Sequence, residues 1–118
     1  MLTVFDHSGS LKRMGGDQQL FQEMVGFLLE DAPRLMERFR AGVEANNLSQ
    51  AQHAAHTLKG LISNFGASRA VAAAAQAEEF ARRGDASPLQ RIIPELDAAV
   101  QELEIALASH VPEHARHA

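Results

Sequence analysis

The chain has 118 residues, a formal net charge of −4 and no cysteine. One domain of this length can bury a hydrophobic core, and the lack of cysteine excludes disulfides and cysteine-ligated metal sites. The acidic balance argues against nucleic acid as the main partner, because phosphate binding needs a basic surface. No apolar run approaches the roughly 20 residues of a membrane span, and the first residues lack signal-peptide character. We therefore expect a soluble, cytoplasmic domain without direct membrane contact.

The N-terminal part of the chain predicts a short helix followed by a long one. Residues 10–14 can form one or two helical turns that end at Gly15 and Gly16, and Asp17 can cap the next helix. Apolar residues in that helix recur in steps of three and four, as on one buried face: Phe21, Met24, Leu28, Ala32, Leu35, Phe39 and Val43. Pro33 lies inside the pattern without changing its phase, so we expect one long helix that bends there.

The middle of the chain predicts two more helices. Asn47 or Ser49 can cap the first, which ends at Gly66. Its apolar face consists of Leu48, Ala51, Ala55, Leu58, Ile62 and Phe65. Ser68 can cap the second, which runs to a turn at Gly84 and has an inner face of Val71, Ala74, Ala77 (or Glu78) and Ala81. Because these residues are small, this helix should approach its neighbour closely.

Ser87 can cap the last predicted helix, with Pro88 at its first helical position. Its apolar face consists of Leu89, Ile93, Leu96, Val100, Leu103 and Leu107. Pro94 predicts a second bend. Residues 110–118 are polar and are expected to form a frayed tail. Residues 1–109 thus predict an all-α fold, an antiparallel four-helix bundle with a short extra N-terminal helix.

One stretch, residues 56–60, carries an unusual group of side chains. At about 100° per residue, His56 and Gly60 point away from the apolar face, whereas Leu58 points into it and Lys59 lies at the boundary. A neutral imidazole is a nucleophile at physiological pH. Lys59 could neutralise phosphoryl oxygens, and Gly60 would leave room for a partner to reach His56. Close helix packing is the alternative reason for the glycine.

Other polar residues border this surface. Gln52 and His53 lie one turn before His56, and Ser63 and Asn64 continue the exposed side. We expect these four residues to contact a partner protein. His53 and His56 could also share a metal ion, but no third ligand follows at a suitable spacing, so we expect no metal site.

These residues resemble the histidine-containing phosphotransfer (HPt) domains of bacterial two-component phosphorelays. The family pattern is a histidine with Leu, Lys and Gly at the second, third and fourth positions after it, then a hydrophobic-Gly-Ala sequence. The matching residues are His56, Leu58, Lys59, Gly60 and Phe65-Gly66-Ala67. A looser likeness extends over the chain, including Phe5-Asp6, Gly15-Gly16-Asp17 and the proline in the long helix. Leu61-Ile62 departs from the pattern, since many members have small residues there.

The resemblance implies a phosphocarrier and not an enzyme with its own ATP site. His56 would accept a phosphoryl group from an aspartate of one receiver domain and pass it to another, with Lys59 in support. The partners would be receiver domains of a hybrid sensor kinase and of a response regulator. Mg²⁺ would be held by the partner receiver, and this domain would bind no cofactor.

Two other functions stay open at this point. A histidine-bearing dimerisation domain of a sensor kinase usually has Glu or Asp and then Pro near the histidine, whereas Thr57 follows His56 here. In a helical adaptor protein, His56 would take part in no reaction. One complete bundle per chain makes a monomer the expected state. The domain could act alone or as the C-terminal module of a membrane-bound hybrid sensor kinase.

Overall fold

A computed structural model describes residues 4–110 of the chain. Within this range the secondary structure is helical, with five α-helices: α1 (His7–Arg13), α2 (Gln18–Glu44), α3 (Leu48–Ser63), α4 (Ser68–Arg83) and α5 (Ala86–Ala108). The predicted all-α fold is confirmed. Among the described helices, none combines the length and apolar character needed to cross a membrane. The predicted tail lies outside the described residues, except for His110.

Helices α2 to α5 form the bundle. α3 packs between α2 and α4, α5 packs against both α4 and α2, and α1 lies on α2. The connections between consecutive bundle helices are two to four residues long, which favours antiparallel neighbours. Large side chains from α2, α3, α5 and the connection after α3 fill the core together with the alanines of α4; the large ones include Phe21, Leu28, Phe39, Leu58, Ile62, Phe65, Leu89, Leu96 and Leu103.

Helix α2 begins at its predicted cap and continues through its proline. The carboxylate of Asp17 accepts a hydrogen bond of 3.0 Å from the amide of Leu20. Pro33 lies inside one uninterrupted helix, as expected. The predicted apolar face of α2 is partly wrong. Because α2 contacts both α3 and α5, it buries a larger part of its circumference than the single row of apolar residues that was predicted. Val25, Met36 and Gly42 are buried, whereas Met24, Leu35 and Val43 are only partly buried.

Three predicted helix starts are wrong by a short distance. α1 begins at His7, where Asp6 caps it, and not at residue 10. α4 begins at Ser68 itself, so that Ala67 occupies the N-cap position and provides no side-chain cap. α5 begins at Ala86, ahead of the predicted Ser87, and Asp85 at its N-cap position makes no capping hydrogen bond. Ala67 is buried against the core. Tertiary packing therefore places the start of α4 without the side-chain cap that the sequence suggested.

The approach of α3 to its two neighbours depends on small residues. At Gly42 of α2, an added Cβ would lie 2.8 Å from the backbone nitrogen of Ala51 and 3.0 Å from the carbonyl oxygen of Asn47. On α4, the buried face consists of alanines at positions 70, 73, 74, 77 and 81. The predicted small inner face of α4 is confirmed at Ala74, Ala77 and Ala81, whereas Val71 is only partly buried. The two contacts hold α3 in place.

The N-terminal segment ties the end of α3 to the rest of the bundle. The amide of Asp6 donates a hydrogen bond of 2.8 Å to the carbonyl oxygen of Phe65. The carboxylate of Asp6 accepts one of 3.0 Å from the amide of Gly9, which caps α1. Asp6 also lies against Gly66, where φ is +61° and an added Cβ would lie 2.9 Å from its Cβ. Glycine is therefore required at this turn.

Candidate functional site

The site is centred on His56, in the middle of α3. The side-chain oxygen of Asn47 accepts a hydrogen bond of 3.2 Å from the amide of Gln50 and caps this helix. Leu58 is fully buried, and it fixes the rotation of α3 about its axis. The side chain of His56 is 64% exposed on the opposite side. The predicted orientation of both residues is confirmed.

Glu78 on α4 connects two of the residues that the sequence singled out. Its Oε2 lies 2.8 Å from Nδ1 of His56, and its Oε1 accepts a hydrogen bond of 2.7 Å from Nζ of Lys59. The Glu78 side chain is only 20% exposed. One carboxylate therefore holds both the imidazole and the ammonium group, although it comes from another helix.

Glu78 was not among the site residues predicted from the sequence. Position 78 was predicted only as an alternative to Ala77 on the inner face of α4. The sequence did contain one indication: a carboxylate at the edge of an alanine-rich face is partly buried and therefore needs a charged or hydrogen-bonding partner. Which residue is the partner depends on how α4 packs against α3, and helical periodicity alone does not determine that packing.

The charges around Glu78 favour its ionised form. The hydrogen bond from Lys59 lowers the pKa of Glu78 below its ordinary value of 4.5, burial opposes this shift, and the hydrogen bond with His56 adds to the lowering. The carboxylate is therefore ionised at neutral pH and can only accept hydrogen bonds. It follows that Nδ1 of His56 carries the proton in this contact.

Protonation at Nδ1 determines which nitrogen of a neutral His56 is reactive. With the hydrogen on Nδ1, the lone pair in the ring plane belongs to Nε2. The contact with Glu78 also fixes the ring orientation, so that Nε2 lies on the ring edge away from this carboxylate, in a side chain that is 64% exposed. The arrangement is thus a nucleophilic nitrogen on an exposed helix face, supported by a partly buried carboxylate and a neighbouring cation.

Lys59 and Gly60 differ in exposure as the helical phase predicted. The side chain of Lys59 is 33% exposed, so it lies at the boundary between core and surface. Gly60 is exposed, and a Cβ added there would meet no other group of the described structure within 4 Å. Close packing therefore does not account for this glycine, in contrast to Gly42.

The remaining predicted residues fall into two groups. Gln52 and His53 line a shallow groove together with Ser49, His56 and Glu78, so they lie beside the reactive ring. Ser63 and Asn64 lie near the C-terminal end of α3, about 10–12 Å along the helix from His56 at the usual rise. The Ser63 hydroxyl donates to the carbonyl oxygen of Gly60 at 2.8 Å, which directs it to its own helix and not to the imidazole.

A helical bundle that presents such a histidine on one exposed face is the arrangement of a phosphotransfer domain. The model of the Hpt domain family matches residues 23–106, which include His56, Lys59, Gly60 and Glu78. The chain therefore belongs to the Hpt domain family, whose members have a phosphotransfer role in two-component signalling.

Comparison with solved structures supports the same fold. The chain is similar to histidine-containing phosphotransfer protein B (HptB) from Pseudomonas aeruginosa PAO1, with a TM-score of 0.84 and 18% sequence identity. The alignment covers 100% of this chain and 99% of that protein. At this identity the likeness concerns the fold. A comparison with curated protein sequences gives no significant match.

Proposed function

We propose that His56 accepts a phosphoryl group from the phosphorylated aspartate of a receiver domain and passes it to the receiver domain of a response regulator. The observation that carries this proposal is the contact between Glu78 and Nδ1 of His56, which leaves the exposed Nε2 as the nucleophile. Membership of the Hpt family supplies the chemistry. Histidine phosphotransfer to and from aspartate is therefore the activity that these residues support best.

The transfer of the phosphoryl group to His56 needs no additional acid or base. The lone pair on Nε2 of His56 attacks the phosphorus atom of the aspartyl phosphate, the N–P bond forms, and the P–O bond to the aspartate breaks. The aspartate leaves as a carboxylate. The imidazole gains positive charge and keeps its proton on Nδ1, where the carboxylate of Glu78 stabilises it. The reverse sequence of bond changes transfers the group onward.

Lys59 would also stabilise the phosphorylated form of the domain. Its ammonium group is paired with Glu78 before transfer, at 2.7 Å. A phosphoryl group on His56 would bring several negatively charged oxygens to the same face, where Lys59 can partly neutralise them. Lys59 would thereby offset the repulsion between the phosphoryl group and Glu78. A phosphoryl group that remains close to this carboxylate should be readily passed on.

The docking surface would surround the exposed part of α3. Gln52 and His53 border His56 in the groove, and Gly60 leaves open space on the next turn. Ser63 and Asn64 would contact the partner farther along the helix. Mg²⁺ would be held by the receiver, where it assists phosphoryl transfer, and the domain would act as a monomer with one receiver at a time.

Two observations separate this proposal from its alternatives. A dimerisation domain of a sensor kinase would build four helices from two chains, whereas one chain supplies the bundle here. An adaptor would not require a carboxylate that orients an exposed imidazole. The single-chain bundle and the held ring both favour the phosphocarrier.

Label transfer tests the proposal directly. The domain is incubated with a radiolabelled, phosphorylated receiver domain from the same organism, with Mg²⁺ present, and the label on each protein is followed over time. Wild type should gain acid-labile label and then lose it to a second receiver. His56→Gln should gain none. His53→Gln is the matched control, because it removes the other exposed histidine of the same helix and leaves the proposed acceptor in place. It should still gain label, with only the reduction in rate that a docking contact of His53 would cause.

The controls give the experiment two clear negative outcomes. Equal labelling of wild type and His56→Gln would place the acceptor elsewhere and refute the proposal. Absence of labelling with every receiver of the organism would refute it as well. Circular dichroism of His56→Gln should match wild type, since surface substitutions usually change stability by less than about 0.5 kcal/mol.

A further inference from the structure

Two exposed apolar side chains of α2 lie on the side of that helix that faces α3. Phe27 is 53% exposed and Leu20 is 38% exposed. Gly42 marks the α3 side of α2, because it lies against the backbone of Ala51. At about 100° per residue, Phe27 and Leu20 point only about 60° and 40° away from Gly42 around the helix. Both side chains therefore lie at the outer edge of the groove between α2 and α3.

Leu61 of α3 lies on the other side of this groove. The side-chain amide of Gln50 donates a hydrogen bond of 3.0 Å to the carbonyl oxygen of Arg38, so Gln50 marks the side of α3 that faces α2. Leu61 points only about 20° away from Gln50 around the helix, and it is partly buried. It is also one of the two residues that depart from the HPt pattern. Leu20, Phe27 and Leu61 together are termed the apolar patch.

The apolar patch lies beside the reactive histidine. Phe21, near the start of α2, and Phe65, just after the end of α3, have ring centroids 6.0 Å apart. Gly42 meets α3 near the opposite ends of the two helices, so the helices are antiparallel. Phe27 therefore lies alongside the C-terminal half of α3. A rise of about 1.5 Å per residue and helix axes about 8–10 Å apart place it on the order of 10–15 Å from His56.

A receiver domain that reaches His56 must also cover one of the neighbouring helices. A specific interface buries about 800 Å² on each partner, which corresponds to a disc of about 16 Å radius. On the α4 side of His56, the exposed residues are charged, with Glu79 paired to Arg82 and Arg83. On the α2 side lies the apolar patch. Buried apolar and aromatic side chains contribute most of the binding free energy, whereas exposed ion pairs contribute little.

We propose that the apolar patch binds the receiver domain beside His56 and favours receivers that present an apolar surface to it. This inference rests on the proposed function and adds the contacts by which the partner is held. Burial of Phe27 and Leu20 in the complex would supply the hydrophobic contribution that the polar exposed face of α3 lacks. The apolar patch should therefore determine affinity and partner choice, and not the chemistry at Nε2.

Label transfer over a series of receiver concentrations tests this proposal, with the phosphorylated receiver that labels wild type fastest. Phe27→Gln should raise the receiver concentration needed for half-maximal transfer by about tenfold or more, and should change the maximal rate much less. Leu61→Ser should act in the same direction. Ile105→Gln is the matched control, because Ile105 is 77% exposed but lies on α5. It should leave both quantities unchanged.

Three outcomes would overturn the proposal. The first is an equal half-maximal concentration for wild type and Phe27→Gln, and the second is a loss confined to the maximal rate. Either result would leave phosphotransfer at His56 intact, so the docking inference can fail while the proposed function stands. The third is a wild-type dimer in sedimentation that Phe27→Gln dissociates, because the apolar patch would then bind a second copy of this chain.

A measurement on wild type alone covers the case in which a variant does not fold. In methyl NMR spectra, addition of the unphosphorylated receiver should shift or broaden the signals of Leu20 and Leu61 and leave those of Ile105 in place. Unchanged Leu20 and Leu61 signals would overturn the proposal. Because no phosphoryl group is transferred in this measurement, it tests docking separately from the chemistry of His56.

Discussion

The carboxylate of Glu78 lies 2.8 Å from Nδ1 of His56, although the two residues are 22 positions apart and belong to different helices. The same carboxylate binds Lys59 through its other oxygen. The exposed histidine is therefore not an isolated surface residue. Its ring orientation and its tautomer both depend on how α4 packs against α3.

Replacement of Glu78 by Gln should slow phosphotransfer more than it affects folding. The amide is close in size, and its carbonyl oxygen can still accept a hydrogen bond from Nδ1, but it carries no charge and so does not offset the positive charge that develops on His56. We expect the transfer rate to fall by about tenfold or more, within the usual range for losing an electrostatic contact at a reacting group. Rapid-quench measurement of label transfer over a range of pH would give the rate and its pH profile.

The neighbouring residue provides the matched control for this substitution. Glu79 lies on the same helix but pairs with Arg82 and Arg83, away from His56. Glu79→Gln removes the same charge and should leave the transfer rate nearly unchanged. An equal loss of rate in both variants would mean that the overall charge of α4 matters and that the specific contact does not.

The lowered pKa of Glu78 predicts a defined dependence of stability on pH. The folded state holds this proton less tightly than the unfolded chain, whose pKa is close to the ordinary 4.5. The contribution to the free energy of unfolding is therefore fully present above that value and is lost as the pH falls through the folded pKa. Urea unfolding of wild type and Glu78→Gln should differ at neutral pH and converge in acid. A difference that grows on acidification would contradict the assignment.

Position 60 should accept alanine without loss of stability, whereas a larger side chain there should block phosphotransfer. A Cβ at this position meets open space, so Gly60→Ala should stabilise the helix by about 0.5–1 kcal/mol. Gly60→Glu should fold but should block transfer by filling the path to His56. Gly26 is the control, because an added Cβ there also meets nothing within 4 Å. Gly26→Glu should leave label transfer intact, and an equal loss in both variants would rule out a local role for Gly60.

Leu58 lies within the motif, but it should act on stability and not directly on transfer. Its side chain is fully buried, so Leu58→Ala should lower the free energy of unfolding by about 2–5 kcal/mol. His56→Gln, two positions earlier, should change it by less than about 0.5 kcal/mol. Chemical denaturation of both variants measures this contrast. A large loss for His56→Gln would contradict its exposed position.

The sequence was sufficient to predict the parts of the site that lie on one helix. The helical period of 3.6 residues determines where each side chain points once the apolar face of the helix is identified. It was therefore enough to place His56 and Gly60 on the surface of the bundle and Leu58 in its core. Glu78 could not be placed in the same way. Its contact depends on the spacing and rotation of α4 relative to α3, and the alanines that set this spacing carry no information about which surface residues meet.

The same limit explains the errors in the fold. Met24, Leu35 and Val43 fit a single stripe, but a helix with two neighbours buries a wider arc, and Val25 and Met36 complete it. Gly42 was not identified at all. Its role is a missing side chain at a helix crossing, and such a role becomes visible only when the partner helix is in place.

Gly42 therefore provides a test of the packing that positions the site. An added Cβ would lie 2.8 Å from the backbone nitrogen of Ala51, and backbone atoms have little freedom to move away. Gly42→Ala should lower the free energy of unfolding by about 1–3 kcal/mol, despite the better helix propensity of alanine. Gly26→Ala, on the same helix but facing open space, should be neutral or stabilising. Urea denaturation of the two variants provides the comparison, and unfolding of both at the wild-type midpoint would show that α2 and α3 do not cross as closely as the structure places them.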